Sequence, residues 1–425
     1  MIILFWIYDI LFILGFFIYL PIYFCRRKIT FKSLAEKFGR IKKFPSNSKK
    51  TIWIHIVSVG EANLIGTLIK KLNETLDYTI VISTTTLTGN NIAKKKYSKK
   101  ARIIFFPFDI SFILNKVIRL INPRIFITVE TEIWPNLFHQ LKRRNIPIVI
   151  INGRISDKAF HRYKYVKPFI KQTLNNCSYI GVQNEFYQNR FIALGCKKEK
   201  VTISGNMKFE SIFFSETRLV RTKNKYIPLL KEDNRLLITA ASTHHPEEKI
   251  ILDIYKELIL TSKNTSLLIA PRHIERINSI EKYALSLGFN PIRISKLKKF
   301  PPRREKNIFI LDVIGELIYF YSISDICFVG GSLIKHGGQN ILEPIYFLKP
   351  TVFGPYMDNF PDIVEVVLNK SAGIKVSDNQ KLKEVIFELT EDMSLRSNLR
   401  NKCAEVFEGE KRSLEKNLHL IMRCL

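Results

Sequence analysis

The stretch TIWIHIVSVGE, Thr51 to Glu61, is where the fold is read. An apolar, β-branched run over Thr51–Val57 breaks into a Ser/Gly turn, and the turn places Glu61 at the start of a helix. A fully apolar strand feeding a helix through a short turn is the repeating unit of a parallel sheet covered on both faces. The same unit recurs on either side of it. Tyr78–Ser83, Arg102–Phe106, Arg124–Val129, Ile146–Ile151 and Tyr179–Val182 predict further buried strands separated by helical stretches, and Val201–Ser204 is strand-like. A second series predicts a separate sheet from Leu236–Ala240, Ser266–Ala270, Asn307–Leu311, Asp325–Val329 and Thr351–Phe353. A chain of 425 residues exceeds what one hydrophobic core accommodates, which agrees with two series. The expected fold class is therefore α/β, with two Rossmann-like domains facing a cleft. The first spans 26–210, the second 211–393, and a helical segment closes the chain over 394–425. There is no internal repeat and no long low-complexity tract.

Residues 1–25 form the remaining piece. They are apolar except for Asp9, and as a helix they would rise roughly 36 Å, enough for a hydrocarbon core of about 30 Å. No basic region precedes the run and no small-residue cleavage site follows it, so an uncleaved N-terminal transmembrane helix is expected rather than a signal peptide. Pro21 and Asp9 leave a tilted or interfacial helix as the alternative. Arg26-Arg27-Lys28 follow at once, which places the rest of the chain in the cytoplasm by the positive-inside rule. Lys32, Lys37, Arg40, Lys42 and Lys43 then surround Phe31, Leu34 and Phe38, a pattern that suits either anionic headgroups or an ordinary surface helix.

Lys and Arg number 67 against 38 Asp and Glu, a formal net charge of +29. The excess calls for an anionic partner, namely a phosphate-rich ligand or an acidic membrane, or it is a background of solvated lysines. No helix-turn-helix or RNA-binding aromatic motif supports nucleic acid. The six cysteines form no CxxC pair and the histidines no HExxH, so neither a disulfide framework nor a metal site is expected. DxD, Walker, GxGxxG and GxSxG patterns are also missing, which argues against a metal-chelated diphosphate, a kinase, a dehydrogenase and a serine hydrolase.

In doubly wound sheets the chemistry lies beyond the carboxyl ends of the strands. After the first strand come Ser58 and Glu61, the latter a general base or merely an acidic residue stabilising a helix N-terminus. ETEIWPN puts Glu130 and Glu132 beside Trp134 and Asn136, a set that grips sugar hydroxyls or caps a helix; NGRIS again places polar groups at a strand end. In the second series, ASTH supplies Ser242, and APRH supplies Arg272 and His273, hydroxyls and a guanidinium suited to phosphate. VGGSL carries Ser332, and HGGQNILEP carries Gly338, Asn340 and Glu343. The glycines permit close backbone approach, a helix opening at Gln339-Asn340 offers free N–H groups, and Glu343 lies one turn on, suited to ribose hydroxyls.

Taken in order, WIHIVSVGE, TTTLTG, FPFD, ETEIWPN, NGRIS, GNMKF, ASTHHPEE, APRH, GGS and GGQNILEP resemble the 3-deoxy-D-manno-oct-2-ulosonic acid (Kdo) transferases of lipopolysaccharide assembly. The matches spread over nearly the whole chain. The resemblance implies an inverting, metal-independent GT-B type glycosyltransferase without a cofactor, whose closing helix returns to the first domain. It implies CMP-Kdo as donor, a phosphorylated lipid A precursor (lipid IVA) as acceptor, and Glu61 as base. On that reading Lys208 of GNMKF pairs with the phosphate or the Kdo carboxylate, while Ser332, Asn340, Glu343 and Glu316 position the nucleotide. Val313-Ile314 stand before Gly315-Glu316-Leu317 where the family has a Thr-containing form, which leaves any contact from that hydroxyl open. Another two-domain glycosyltransferase or a nucleotide-sugar epimerase is the rival enzyme. The expected setting is the cytoplasmic face of a bacterial inner membrane, held by the single N-terminal anchor.

Overall fold

The computed structural model describes residues 5–16, 31–41, 50–210, 212, 216–231, 235–262, 264–297, 306–408 and 412–425. Its polypeptide divides into two units, Met1–Ser211 with Glu410–Leu425, and Ile212–Gly409.

The first unit is built on β1 (Thr51–Ile56), β2 (Thr79–Thr84), β3 (Arg102–Phe105), β4 (Pro123–Val129), β5 (Ile148–Gly153), β6 (Tyr179–Val182) and β7 (Val201–Ile203). All pairings are parallel, in the order β3-β2-β1-β4-β5-β6-β7. Period-two alternation divides the strands between two cores. Trp53, Phe126 and Ile150 face helical residues such as Leu114 and Phe138, while Ile52, Ile54, Ile127 and Val149 face Leu68 and the C-terminal Ile421. Fully burying each such aliphatic side chain contributes about 1.5–3 kcal/mol, which is why both faces have to be covered.

The second unit carries β8 (Leu236–Thr243), β9 (Thr265–Pro271), β10 (Asn290–Arg293), β11 (Asn307–Ile310), β12 (Ile326–Val329), β13 (Thr351–Phe353) and β14 (Ile374–Lys375). Their order is β10-β11-β9-β8-β12-β13-β14, again with parallel pairing throughout. The edge strands β10 and β14 escape the sequence reading because they are short and β10 contains Pro291, a residue confined to sheet edges.

The C-terminal segment is shared between the units. Helix Met393–Glu408 belongs to the second, whereas helix Ser413–Met422 lies against β5 and β6 of the first. Asn417, fully buried, lends its Oδ1 to the Asn152 N–H at 3.4 Å and donates through Nδ2 to Ser413 O at 2.8 Å.

The expected N-terminal transmembrane helix is not supported. Among the described residues no helix is long and apolar enough to cross a membrane. Residues 5–16 are helical, and one face of that helix packs on the first unit. Phe5 stacks on His139 at 4.1 Å and Phe16 meets Phe108 at 4.8 Å. The one acidic residue of the run explains the docking: Asp9 Oδ1 accepts from Ser111 N at 3.0 Å and Asn136 Nδ2 at 2.6 Å, contacts that a hydrocarbon surround does not offer. The rest of the expected anchor, 1–4 and 17–25, lies outside the described residues, as do Arg26-Arg27-Lys28.

Candidate active site

The strand order reverses between β1 and β4 in the first sheet and between β8 and β12 at the centre of the second. Crevices beyond the carboxyl ends of strands at such switch points are where open α/β sheets bind ligands.

At the first switch point β1 ends in a capped helix, Val59–Leu64. Ser58 is its N-cap and Glu61 lies in its first turn. The Ser58 hydroxyl donates to Glu61 Oε1 at 3.0 Å and accepts the Glu61 N–H at 3.3 Å; Val57 N donates to Glu61 Oε2 at 2.8 Å. The reciprocal pattern is a variant of the capping box, in which the carboxylate takes the N–H of the residue before the N-cap together with the N-cap hydroxyl. Both readings of Glu61 are therefore compatible, because the contacts that stabilise the helix also aim the carboxylate. Glu61 is 7% exposed, and burial together with the charges of Glu130 and Glu132 pushes its pKa up to about 7, against the Val57 N–H and Ser58 hydroxyl that hold it down. A carboxylate titrating there is suited to general-base work near neutrality.

Across the switch point, β4 delivers Glu130 in a left-handed backbone, φ 60°, which is costly for a residue with a Cβ. Its carboxylate is already engaged, with Arg154 Nε at 2.8 Å and Lys208 Nζ at 3.6 Å. Lys208 thus sits in the first unit, on the turn Met207–Glu210. Glu132 reaches the buried His55 Nε2 at 3.7 Å, and Trp134 meets the same imidazole edge-on at 6.0 Å between centroids. His55 escaped the sequence reading because an inward position on a buried strand gives no sign of which strand end it serves.

At the second switch point the Gly-rich turn after β12 is not an open cradle. The Glu247 carboxylate fills it, accepting from His244 N at 2.9 Å, Gly331 N at 2.7 Å, and Ser332 N and Leu333 N, each at 3.0 Å. Gly330 is required because a Cβ there would lie 2.6 Å from Thr243 Cα. Ser332 is fully buried; its hydroxyl donates to Val329 O at 2.5 Å and accepts from Gly354 N at 2.8 Å. Gly338 closes the turn onto Gly331 O at 2.8 Å, with a positive φ of 75°. These two residues shape the loop and leave no hydroxyl free for a ligand. The helix expected at Gln339-Asn340 opens instead at Leu342, is short, and has Asn340 Oδ1 as acceptor for Leu342 N at 3.1 Å.

What the loops do bring together is side chains. Arg272, exposed after β9, pairs with no carboxylate among the described residues; Asn340 Nδ2 donates to Glu343 Oε1 at 3.3 Å, and the Arg272 charge draws down a Glu343 pKa that burial raises. Ser242 shares the β8 bulge with a positive φ of 50°, beside His244. The rings of His336 and His273 lie 4.0 and 5.4 Å from that of His244. Among the described residues no three His, Cys, Asp or Glu side chains are arranged to hold a metal ion. Glu316 is turned elsewhere: it pairs with Arg218 beside a cavity of about 250 Å³ that Arg221, Lys225, Tyr226 and Phe320 also line.

Residues 32–211 match the profile of the 3-deoxy-D-manno-octulosonic-acid transferase (kdotransferase) family. A 3-deoxy-D-manno-octulosonic acid transferase of Haemophilus influenzae is 34% identical over 390 residues, 91% of this chain and 90% of the relative. A bifunctional glycosyltransferase/methyltransferase of Fusobacterium nucleatum is 37% identical over 357 residues, 84% of this chain, and the match spans 54% of that longer relative. Among solved structures, UDP-GlcNAc 2-epimerase from Neisseria meningitidis bound to UDP-GlcNAc superposes with a TM-score of 0.59 at 14% identity, over 88% of this chain and 100% of that one, a likeness of fold.

Proposed function

The chain belongs to the 3-deoxy-D-manno-octulosonic acid (Kdo) transferase family, and from that premise we propose that it transfers Kdo from CMP-Kdo to lipid IVA, with inversion and without a metal, Glu61 acting as general base. The acceptor hydroxyl attacks the anomeric carbon from the face opposite CMP. As the new C–O bond forms, the bond to the phosphate oxygen breaks, CMP leaves with the electron pair, and the hydroxyl proton passes to Glu61. The observation that carries this reading is the Glu61 carboxylate: buried, aimed by Ser58 and Val57, and raised to about 7. For the donor, CMP presents a single phosphate, and the exposed guanidinium of Arg272 with its neighbouring imidazoles offers positive charge for the departing anion. The Asn340–Glu343 pair is suited to nucleotide hydroxyls.

The acceptor is a phosphorylated lipid, and we place the reaction at the cytoplasmic face of a bacterial inner membrane, with the anionic surface as a partner. Support comes from the 5–16 helix. The face not packed on the protein exposes Trp6, Ile7, Ile10, Leu11 and Leu14, an apolar patch of the kind that marks membrane or partner contact. The net charge of +29 favours anionic headgroups. Purified protein incubated with lipid IVA and CMP-Kdo tests the reaction: the acceptor gains Kdo by mass spectrometry, and unchanged acceptor with folded protein sinks the reading. Cosedimentation with phosphatidylglycerol vesicles tests the surface, and Leu11→Glu should weaken it without changing the thermal midpoint.

A further inference from the structure

Three imidazoles meet where the chain leaves β8, β9 and β12. His244 follows β8, His273 follows β9, and His336 lies in the turn after β12. The His244 and His336 rings are 4.0 Å apart at 38°, and the His273 ring stands edge-on to His244 at 5.4 Å. Gln339 Nε2 lies 3.3 Å from His244 Nε2, a contact satisfied when the amide donates to a neutral imidazole.

The charges around this cluster are unequal. Arg272 and Arg276 lie beside His244. The nearby carboxylates are already committed: Glu247 to four backbone N–H groups, Glu248 to Arg276 at 2.8 Å, Glu275 to His273 Nδ1 at 3.2 Å, and Glu343, which feels the Arg272 charge, to Asn340 Nδ2 at 3.3 Å. Arg272 has no carboxylate partner among the described residues. The backbone amides of the Gly-rich turn cannot neutralise an incoming anion either, because Glu247 holds them. Neutralisation therefore falls to the side chains.

We propose that His244, His273 and His336 make the site beside Arg272 a proton-coupled anion receptor, in which a phosphodiester monoanion binds together with one proton taken from solvent onto His244. The proposal rests on the donor reading above and extends it. In the empty site burial, followed by the repulsion of His336, His273, Arg272 and Arg276, lowers the His244 pKa to about 4, so the ring is neutral near pH 7. A bound anion reverses that balance, since an opposite charge within a few ångström favours the charged form. The bound imidazolium then donates to the phosphate, and the Gln339 amide turns over to offer its oxygen. By linkage, affinity falls as pH rises between the free and bound pKa, at a limiting slope of about tenfold per pH unit for one proton.

The probe is the methyl ester of CMP, whose diester phosphate lacks the second ionisation near pH 6 that would confuse the proton count with CMP itself. Calorimetric titration of the full chain between pH 5 and 8, in two buffers of different ionisation heat, gives proton uptake and affinity together. Uptake approaching one proton near pH 6, with affinity falling as pH rises, is expected. His244→Gln removes the uptake. Because His244 is buried and its variant is at risk of misfolding, the exposed His336→Gln carries the test independently: relieving the repulsion raises the free His244 pKa, so uptake shrinks and the profile flattens. Binding of the ester without proton exchange, or uptake unchanged in His336→Gln, overturns the proposal and leaves the donor reading standing. Failure of the ester to bind at any pH overturns both.

Discussion

Glu247 Oε2 accepts the Gly331 N–H at 2.7 Å across 84 positions of sequence, and so ties the loop after β8 to the loop after β12. The carboxylate takes the place in the turn that an anion would otherwise occupy. Its removal should leave buried amide donors without acceptors and let both loops move.

Glu247→Ala is therefore expected to destabilise the second unit by about 3–5 kcal/mol, as loss of one partner from a buried charged network does. Denaturant unfolding measures it, and a change under 1 kcal/mol, roughly the size of an exposed pair, would mean that water replaces the carboxylate without loss.

Glu61→Gln should reduce turnover by about 10²–10⁴-fold while affinity for CMP stays unchanged. The wild-type kcat/KM should rise with pH through about 7 and level off above it, because only the ionised carboxylate accepts a proton and Glu61 titrates there. The variant should lack that limb. A full acidic limb in a folded Glu61→Gln protein assigns the ionisation to another group.

Arg272→Ala should weaken CMP binding by about 1.5–3 kcal/mol, the range for hydrogen bonds to charged groups, and leave the melting temperature alone, since its side chain is exposed and forms no ion pair among the described residues. Unaltered affinity in a calorimetric titration would take the guanidinium out of the donor site.

Ile421→Ala should cost about 2–5 kcal/mol, the range for truncating a buried aliphatic side chain. Ile421 is fully buried in the core on the face of the first sheet that also holds Ile54 and Ile127. Hydrogen exchange should quicken in β5 and β6, against which its helix lies, and not in β8 to β14. Equal quickening in both sheets would refute a local role.

Strand existence was legible because a parallel sheet buried on both faces requires nearly continuous apolar runs, and Thr51–Ile56, Pro123–Val129 and Thr265–Pro271 have them. The families of residues that follow those strands were legible for the same reason: the strand ends locate them. The edge strands β10 and β14 of the second sheet were not, since they are short and an edge has one neighbour, so weak patterning suffices. The first 25 residues read as a spanning helix because hydropathy registers composition alone; that Asp9 finds Ser111 and Asn136 more than a hundred positions away is a fact of packing.

Sequence by itself determined the two parallel α/β sheets and the family, because these depend on local periodicity and on residue types at strand ends. Tertiary structure alone decided how those residues are employed. Ser332 and Gly338 turned inward to shape a loop, Glu247 took the amides of the Gly-rich turn, and His244, His273 and His336 came together from three strand ends. Hydrogen-bond partners and burial set a side chain's charge and freedom, and both are fixed by chain segments that sequence spacing does not bring together.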